Sequence, residues 1–209
     1  MKIALIDGSS KNKESNSSQM LKHLQELLPA EYTFQTFHLN KPLLTVEQIT
    51  QLSNCSVWVF AFGIYVDGIP SHLLSCLRQL ETATFNREHI HVYGLINCGL
   101  YEGKQTRHAM SMMEIWSQKT GLKWGMGVGF GGSGGLIHMA SLPLGKGPKK
   151  KLKKVLETCA NAISTQSKVA NVYTSIGIPR FLNNKMVEIS FKQSIKKNGG
   201  KVKDLKRRY

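Results

Sequence analysis

Residues 1–20 read MKIALIDGSSKNKESNSSQM, and they contain the first strand, loop and helix start of the chain. A short apolar run over residues 3–6 stops at Asp7 and Gly8, small polar residues follow, and an apolar pattern with helical spacing begins at Met20. A strand, a polar loop and a helix in that order make an anion site, because the helix N-terminus presents unpaired N–H groups and the positive end of its dipole. Serine and asparagine also cap helices, so capping alone remains an alternative.

The rest of the chain continues this alternation of strands and helices. Apolar runs predict strands over residues 2–7, 32–39, 57–62, 90–97 and 123–130. Apolar residues at helical spacing predict helices over residues 17–28, 46–52 and 104–120, with two more around residues 73–80 and 152–163. The run VWVFAF at residues 57–62 has no polar alternation, which is typical of a central parallel strand covered on both faces.

Five consecutive β–α units predict an α/β domain over residues 1–165, a three-layer sandwich around a five-stranded parallel sheet. The flavodoxin-like strand order 2-1-3-4-5 is the common five-strand arrangement. Ligands of such sheets lie at the carboxyl ends of the strands, near the switch point of the strand order. We therefore expect the loops after strands one, three and four to converge.

Composition excludes several classes of protein. The chain of 209 residues is 41% apolar, and no apolar run approaches the roughly 20 residues of a membrane span. It begins directly with a strand, which argues against a signal peptide. The four cysteines lie far apart without a CxxC pair, and no His/Cys spacing suits a metal, so we expect reduced thiols, a cytoplasmic location and no metal site.

The net charge of +15 is unevenly distributed along the chain. Residues 1–145 carry 11 Lys/Arg against 10 Asp/Glu, whereas residues 146–209 carry 17 against 3. We expect residues 166–209 to form a basic extension, with a short amphipathic helix over 182–196 and a mobile tail over 201–208. It could attract an anionic lipid surface weakly, but no aromatics are interleaved with its lysines, so nucleic acid is disfavoured.

The three loops that should converge contain the candidate binding residues. The first offers hydroxyl, amide and ammonium donors to an anion; these are Ser9, Lys11, Ser15, Asn16, Ser17 and Ser18. The second and third each place a tyrosine among glycines, and they supply Gly63, Tyr65, Val66, Asp67, Gly68, Asn97, Gly99, Tyr101 and Glu102. Glycine-exposed backbone and a flat ring suit a planar heterocycle whose phosphate reaches the first loop. Alternatively, the two tyrosines pack on neighbouring helices.

These loops carry a resemblance to a known family. DGSSKNKESNSS after strand one, FGIYVDGIPSHLL after strand three and INCGLYEGKQ after strand four resemble the flavin loops of the flavodoxin-like NAD(P)H-dependent FMN reductases. The resemblance covers about residues 1–165, and IPRF at residues 178–181 also resembles a C-terminal segment of related bacterial reductases. Two departures are Ser10, where many relatives have proline, and the long glycine-rich connection over residues 131–148.

The resemblance implies bound FMN, with its phosphate beside the first-loop residues and its ring between the other two loops. It further implies hydride transfer from NADPH or NADH, a small-molecule electron acceptor such as a flavin or quinone, and a homodimer. The cofactor carries the chemistry, so no side chain is assigned as a catalytic residue. GVGFGG at residues 127–132 matches a dinucleotide-binding pattern formally, but it ends strand five instead of strand one.

Two other functions remain open from the sequence. The first is a flavodoxin-type FMN electron carrier without nicotinamide activity of its own, although a basic chain is unusual for such carriers. The second is a flavin-free protein that uses its basic tail to bind an anionic surface.

Overall fold

The structure is a computed structural model that describes residues 1–11, 14–136 and 139–206. It divides into two compact units, Met1–Gly177 and Ile178–Tyr209. The first unit extends beyond residue 165, where the sequence placed the end of the domain, because the segment after the fifth helix returns to the sheet.

A parallel sheet forms the middle layer of the first unit, with strand order β2-β1-β3-β4-β5-β6. The strands are β1 (Lys2–Asp7), β2 (Thr33–His38), β3 (Val57–Gly63), β4 (His91–Asn97), β5 (Lys123–Gly131) and β6 (Val172–Ser175). The fold class and the order of the first five strands are confirmed. The expected count of five strands is wrong, because β6 pairs with β5 from Val128↔Val172 to Gly131↔Ser175.

Helices cover the sheet, and their bounds are α1 (Asn16–Gln25), α2 (Val46–Ser53), α3 (Ser71–Thr82), α4 (Arg107–Lys119) and α5 (Lys150–Thr165). The side chains of β3 alternate between the two faces. Trp58, Phe60 and Phe62 are fully buried in one cluster with residues of α2, α3 and α4. The other face carries α1 and α5, where the Tyr93 hydroxyl donates a 2.9 Å hydrogen bond to the Ala162 carbonyl.

The second unit contains α6 (Arg180–Lys197), which is longer than the helix predicted over residues 182–196. The expectation that this helix is amphipathic is wrong. Phe181, Met186 and Val187 are all exposed, yet at 3.6 residues per turn they project in directions roughly 100° or more apart. Of the predicted mobile tail, residues 207–208 lie outside the described part of the chain. Within the described residues, no helix combines the length and the apolar character needed to cross a membrane.

Candidate functional site

The loops after β1, β3 and β4 converge at the carboxyl edge of the sheet, as the strand order predicts. Together with the segment after β5 they enclose a cleft of about 250 Å³. Nine of the predicted site residues line it: Ser9, Lys11, Ser15, Asn16, Ser17, Gly63, Tyr65, Asn97 and Gly99. The other six lie outside this lining: Ser18 in the first turn of α1, and Val66, Asp67, Gly68, Tyr101 and Glu102 in the loops after β3 and β4.

The serines at the start of α1 have two different roles. The backbone N–H of Ser18 donates to Ser15 Oγ at 3.0 Å, and the N–H of Ser15 donates to Ser18 Oγ at 2.8 Å. This reciprocal capping box occupies both hydroxyls. The capping alternative therefore accounts for Ser15 and Ser18, and the capacity to bind a ligand lies in the residues between them.

Asn16 and Ser17 present the free donors of the helix. The first amides of an α-helix have no partner inside it, and among the described residues Ser15 accepts from Ser18 and Gln19, which leaves the N–H groups of Asn16 and Ser17 without a partner there. Among the described residues, Asn16 Oδ1 is buried without a hydrogen-bond partner. The first turn of α1 contains no acidic residue, so its N-terminus is electrostatically suited to an anion.

Asp7 lies directly beneath this helix start, although it was not among the site residues predicted from the sequence. Its carboxylate accepts hydrogen bonds from the Ser9 N–H at 2.9 Å and from Ser15 Oγ at 3.3 Å. Burial raises the pKa of Asp7 above its ordinary value, and these hydrogen bonds and nearby His38 oppose the rise only in part. The negative charge of this carboxylate, when ionised, opposes the binding of an anion at the start of α1.

Asn97 joins three of the converging segments. Its Nδ2 donates to Ser17 Oγ at 3.1 Å and to the Phe62 carbonyl at 3.0 Å, and its Oδ1 accepts from Ser133 Oγ at 3.0 Å. Asn97 is only 4% exposed, so it positions the loops in addition to lining the cleft. Ser133 was missed by the sequence analysis, because its partner is 36 residues away and no local pattern marks it.

The loop after β3 forms a tight turn at the mouth of the cleft. Tyr65 and Gly68 exchange backbone hydrogen bonds, and Val66 and Asp67 between them have positive φ angles of 46° and 61°. The Tyr65 hydroxyl lies 3.2 Å from Ser10 Oγ, which links this turn to the loop after β1. Tyr65 is 56% exposed, so its ring is available to a ligand, in contrast to the helix-packing alternative.

Glycines keep the opposite side of the cleft open. A Cβ added at Gly99 or Gly134 would meet no atom within 4 Å, and one added at Gly63 would come no closer than 3.5 Å to Asn97 Oδ1. The cleft surface therefore has room here for the flat body of a ligand. Neighbouring Cys98 is buried, and burial raises the pKa of its thiol to about 11, so the thiol stays protonated at neutral pH.

The sheet order and the position of the cleft define the flavodoxin-like fold. No known family model and no curated protein sequence matches the chain. Solved structures do match. An FMN-dependent NADH-azoreductase from Bacillus anthracis, in complex with FMN, has a TM-score of 0.56 and 13% sequence identity. The match covers 78% of this chain and 100% of the azoreductase chain.

Two further structures share this architecture. A flavodoxin from Streptococcus pneumonia has a TM-score of 0.57 and 12% sequence identity. The match covers 78% of this chain and 99% of the flavodoxin chain. An NAD(P)H:quinone oxidoreductase from Methanothermobacter marburgensis has a TM-score of 0.53 and 16% sequence identity. The match covers 81% of this chain and 98% of the oxidoreductase chain. At these identities the likeness establishes the flavodoxin-like fold of the chain.

Proposed function

We propose that this protein is an FMN-dependent NAD(P)H oxidoreductase, a cytoplasmic homodimer that reduces a flavin, quinone or similar small acceptor. The observation that carries the proposal is the cleft itself. One end offers the free N–H groups of Asn16 and Ser17, and the other is an open surface lined by Gly99 and Gly134. The azoreductase and quinone oxidoreductase that share the fold are named as enzymes using FMN or NAD(P)H.

The residues present fit FMN. The helix amides of Asn16 and Ser17, with the side chains of Ser9 and Lys11, would hold the phosphate. Turning the Asn16 side-chain amide by 180° would place Nδ2 where the unpartnered Oδ1 lies, and Nδ2 could then donate a hydrogen bond to the phosphate. Ser15 and Ser18 contribute by fixing the start of α1.

The ring would lie between the Tyr65 turn and Gly99, with the remaining predicted residues, Gly63, Val66, Asp67, Gly68, Asn97, Tyr101 and Glu102, at its edges. When bound, FMN supplies the chemistry, which is to accept a hydride from nicotinamide and pass electrons onward. The chain itself orients the ring and leaves one side of the cleft accessible. NADPH and NADH are both candidate donors.

The first experiment measures the visible absorbance of the protein after incubation with FMN and gel filtration, followed by anaerobic addition of NADPH or NADH. Retained flavin whose absorbance is rapidly lost on reduction is the expected result. Retained flavin that neither nucleotide reduces would favour a flavodoxin-type electron carrier, the function of one structural neighbour. No retained flavin would overturn the proposal and favour a flavin-free binding protein.

Charge substitutions test the phosphate end of the site. We expect Asn16→Asp and Ser17→Asp to weaken FMN binding about tenfold or more, because each places a carboxylate beside the phosphate. Tyr65→Ala should weaken it less, through loss of a ring contact. Asn86→Asp adds the same charge in a different loop, where the side-chain oxygen of Asn86 already accepts the Glu88 N–H, and should leave the affinity unchanged. Unchanged affinity in all three site variants would refute the placement.

A further inference from the structure

A second cleft lies at the amino edge of the sheet, opposite the proposed FMN site. It has a volume of about 290 Å³ and is lined by His91, Gln118, Lys123, Trp124, Gln166 and Lys168. His91 begins β4 and Lys123 begins β5, and the two residues are paired in the register of the sheet. β4 has seven residues, so this cleft is about 20 Å from the carboxyl edge.

The segment after α5 completes the cleft and is fixed to the sheet. Gln166 ends α5 in a left-handed conformation with φ of 49°, which turns the chain back toward β5. The N–H of Val169 then donates a 2.8 Å hydrogen bond to the Gly125 carbonyl. These contacts place the side chains of Gln166 and Lys168 beside the start of β5.

The cleft contains an unused polar atom. His91 Nδ1 is buried and has no hydrogen-bond partner among the described residues. A ligand with an acceptor oxygen could pair with this nitrogen, which can carry a proton, once the imidazole turns toward the cleft.

The charge around His91 favours an anionic ligand. Lys123 is exposed and forms no ion pair with any described carboxylate. Lys168 lies 3.6 Å from Glu114, whose other oxygen accepts a hydrogen bond from Asn171. Burial lowers the pKa of His91, the charge of nearby Lys123 lowers it further, and the backbone of His89 opposes the shift in part.

We propose that the amino-edge cleft binds a small anion through a phosphate or carboxylate group held by His91, Lys123 and Lys168. The side-chain amides of Gln118 and Gln166 supply further donors at its rim. This site is independent of the proposed FMN cleft, and it does not require the protein to be a reductase.

The test is an NMR titration of the full chain with inorganic phosphate and, separately, with benzoate, with chloride holding the ionic strength constant. We expect saturable shifts at the amides of Lys123, Gln166 and Lys168. The bound anion should also raise the pKa of His91 by about one unit, since an opposite charge favours the imidazolium. The ring signals of His108, which is exposed on α4, should not respond to the anion.

A matched pair of lysine variants separates a site from general attraction to a basic protein. Lys123→Ala should weaken binding about tenfold, the value of one charge-assisted hydrogen bond. Lys119→Ala removes the same charge four residues earlier, where the lysine pairs with Glu81 at 3.6 Å outside the cleft, and should bind as the unaltered protein does. If only inorganic phosphate binds, the site recognises a phosphate group; if only benzoate binds, it recognises a carboxylate.

Absence of saturable shifts with both anions, or equal weakening by the two lysine variants, would overturn the proposal. The titration is repeated with FMN present. Because the reporting residues lie at the edge of the sheet opposite the proposed FMN site, the anion titration can be interpreted even if the protein does not bind FMN.

Discussion

The two ends of β4 illustrate opposite ways of using polar residues at a sheet edge. At the carboxyl end, Asn97 is buried and hydrogen-bonded through both side-chain atoms to Ser17, Phe62 and Ser133. At the amino end, His91 has a buried nitrogen without a partner and a lysine on the paired strand. One end uses its polar groups for structure, and the other leaves them available.

This difference shows that the residues most suggestive of ligand binding can be those that build the site. Asn97 was predicted as a ligand contact, yet its hydrogen bonds hold three loops in place. The groups left for a ligand at that edge are mainly backbone amides and the Asn16 side chain. Substitutions at the carboxyl end of β4 should therefore change mainly the stability of the fold, whereas substitutions at its amino end should change mainly the affinity for a ligand.

The largest expected effect is on stability. Asn97→Ala should lower the free energy of unfolding by about 2–4 kcal/mol, because it removes three buried side-chain hydrogen bonds, to Ser17, Phe62 and Ser133. His91→Leu should change it by less than about 0.5 kcal/mol, since it removes an atom that had no partner. Urea denaturation at pH 7.5 measures both. Equal losses in the two variants would contradict the contrast between the ends of β4.

A smaller effect is expected from Asp7, the buried carboxylate beneath the phosphate end. Asp7→Asn keeps the oxygen that accepts the Ser9 N–H but removes the charge, so FMN should bind roughly 3–10-fold more tightly. Isothermal titration measures this affinity. Weaker binding would show that the carboxylate assists the phosphate site.

The same variant also has a pH signature. The pKa of Asp7 is raised above its ordinary value of 3.8, so the folded chain holds this proton more tightly than the unfolded chain. Its stabilising contribution is complete below pH 3.8 and is lost as the pH rises through the folded pKa. Asp7→Asn should therefore be more stable than the unaltered protein at pH 7, with the advantage shrinking toward pH 4.

The smallest effect concerns His91 at the other end. Its pKa is lowered from 6.5, chiefly by burial and then by Lys123, so the unfolded chain takes up the proton first as the pH falls. Stability should fall as the pH is lowered below 6.5, less steeply in His91→Leu and in Lys123→Ala. Denaturation curves between pH 7.5 and 5 test this. Parallel pH profiles in all three proteins would contradict it.

Sequence reasoning succeeded where the signal is local. The run VWVFAF predicts a buried central strand, and all six of its residues are buried in β3. It failed for β6, because Val172–Ser175 is only four residues long and half-buried, and has no apolar run to mark it. It also treated α6 as amphipathic, although its apolar residues surround the helix.

For the candidate site as well, the sequence predicted the features that depend on strand order and missed those that depend on contacts between distant residues. Loop convergence follows from strand order, so nine of the fifteen chosen residues line the cleft. The roles within it depend on distant pairs, such as Ser133 with Asn97, and on which serines bond to each other. Ser133 could not be found from sequence, because its contact joins residues 36 positions apart, and Asp7 stood in the quoted loop but no pattern there marks its burial beneath α1.

The exposed apolar residues of α6 have a consequence for how the protein behaves at high concentration. Residues 178–209 carry 10 Lys/Arg against 2 Asp/Glu, so like-charge repulsion opposes contact between these segments of different molecules at low ionic strength. The screening length shrinks from about 10 Å at 0.1 M salt to about 3 Å at 1 M. Added salt therefore weakens the charge repulsion, and the hydrophobic attraction between Phe181, Phe191 and the same residues on other molecules then dominates. Self-association should therefore increase with salt, the reverse of binding driven by charge.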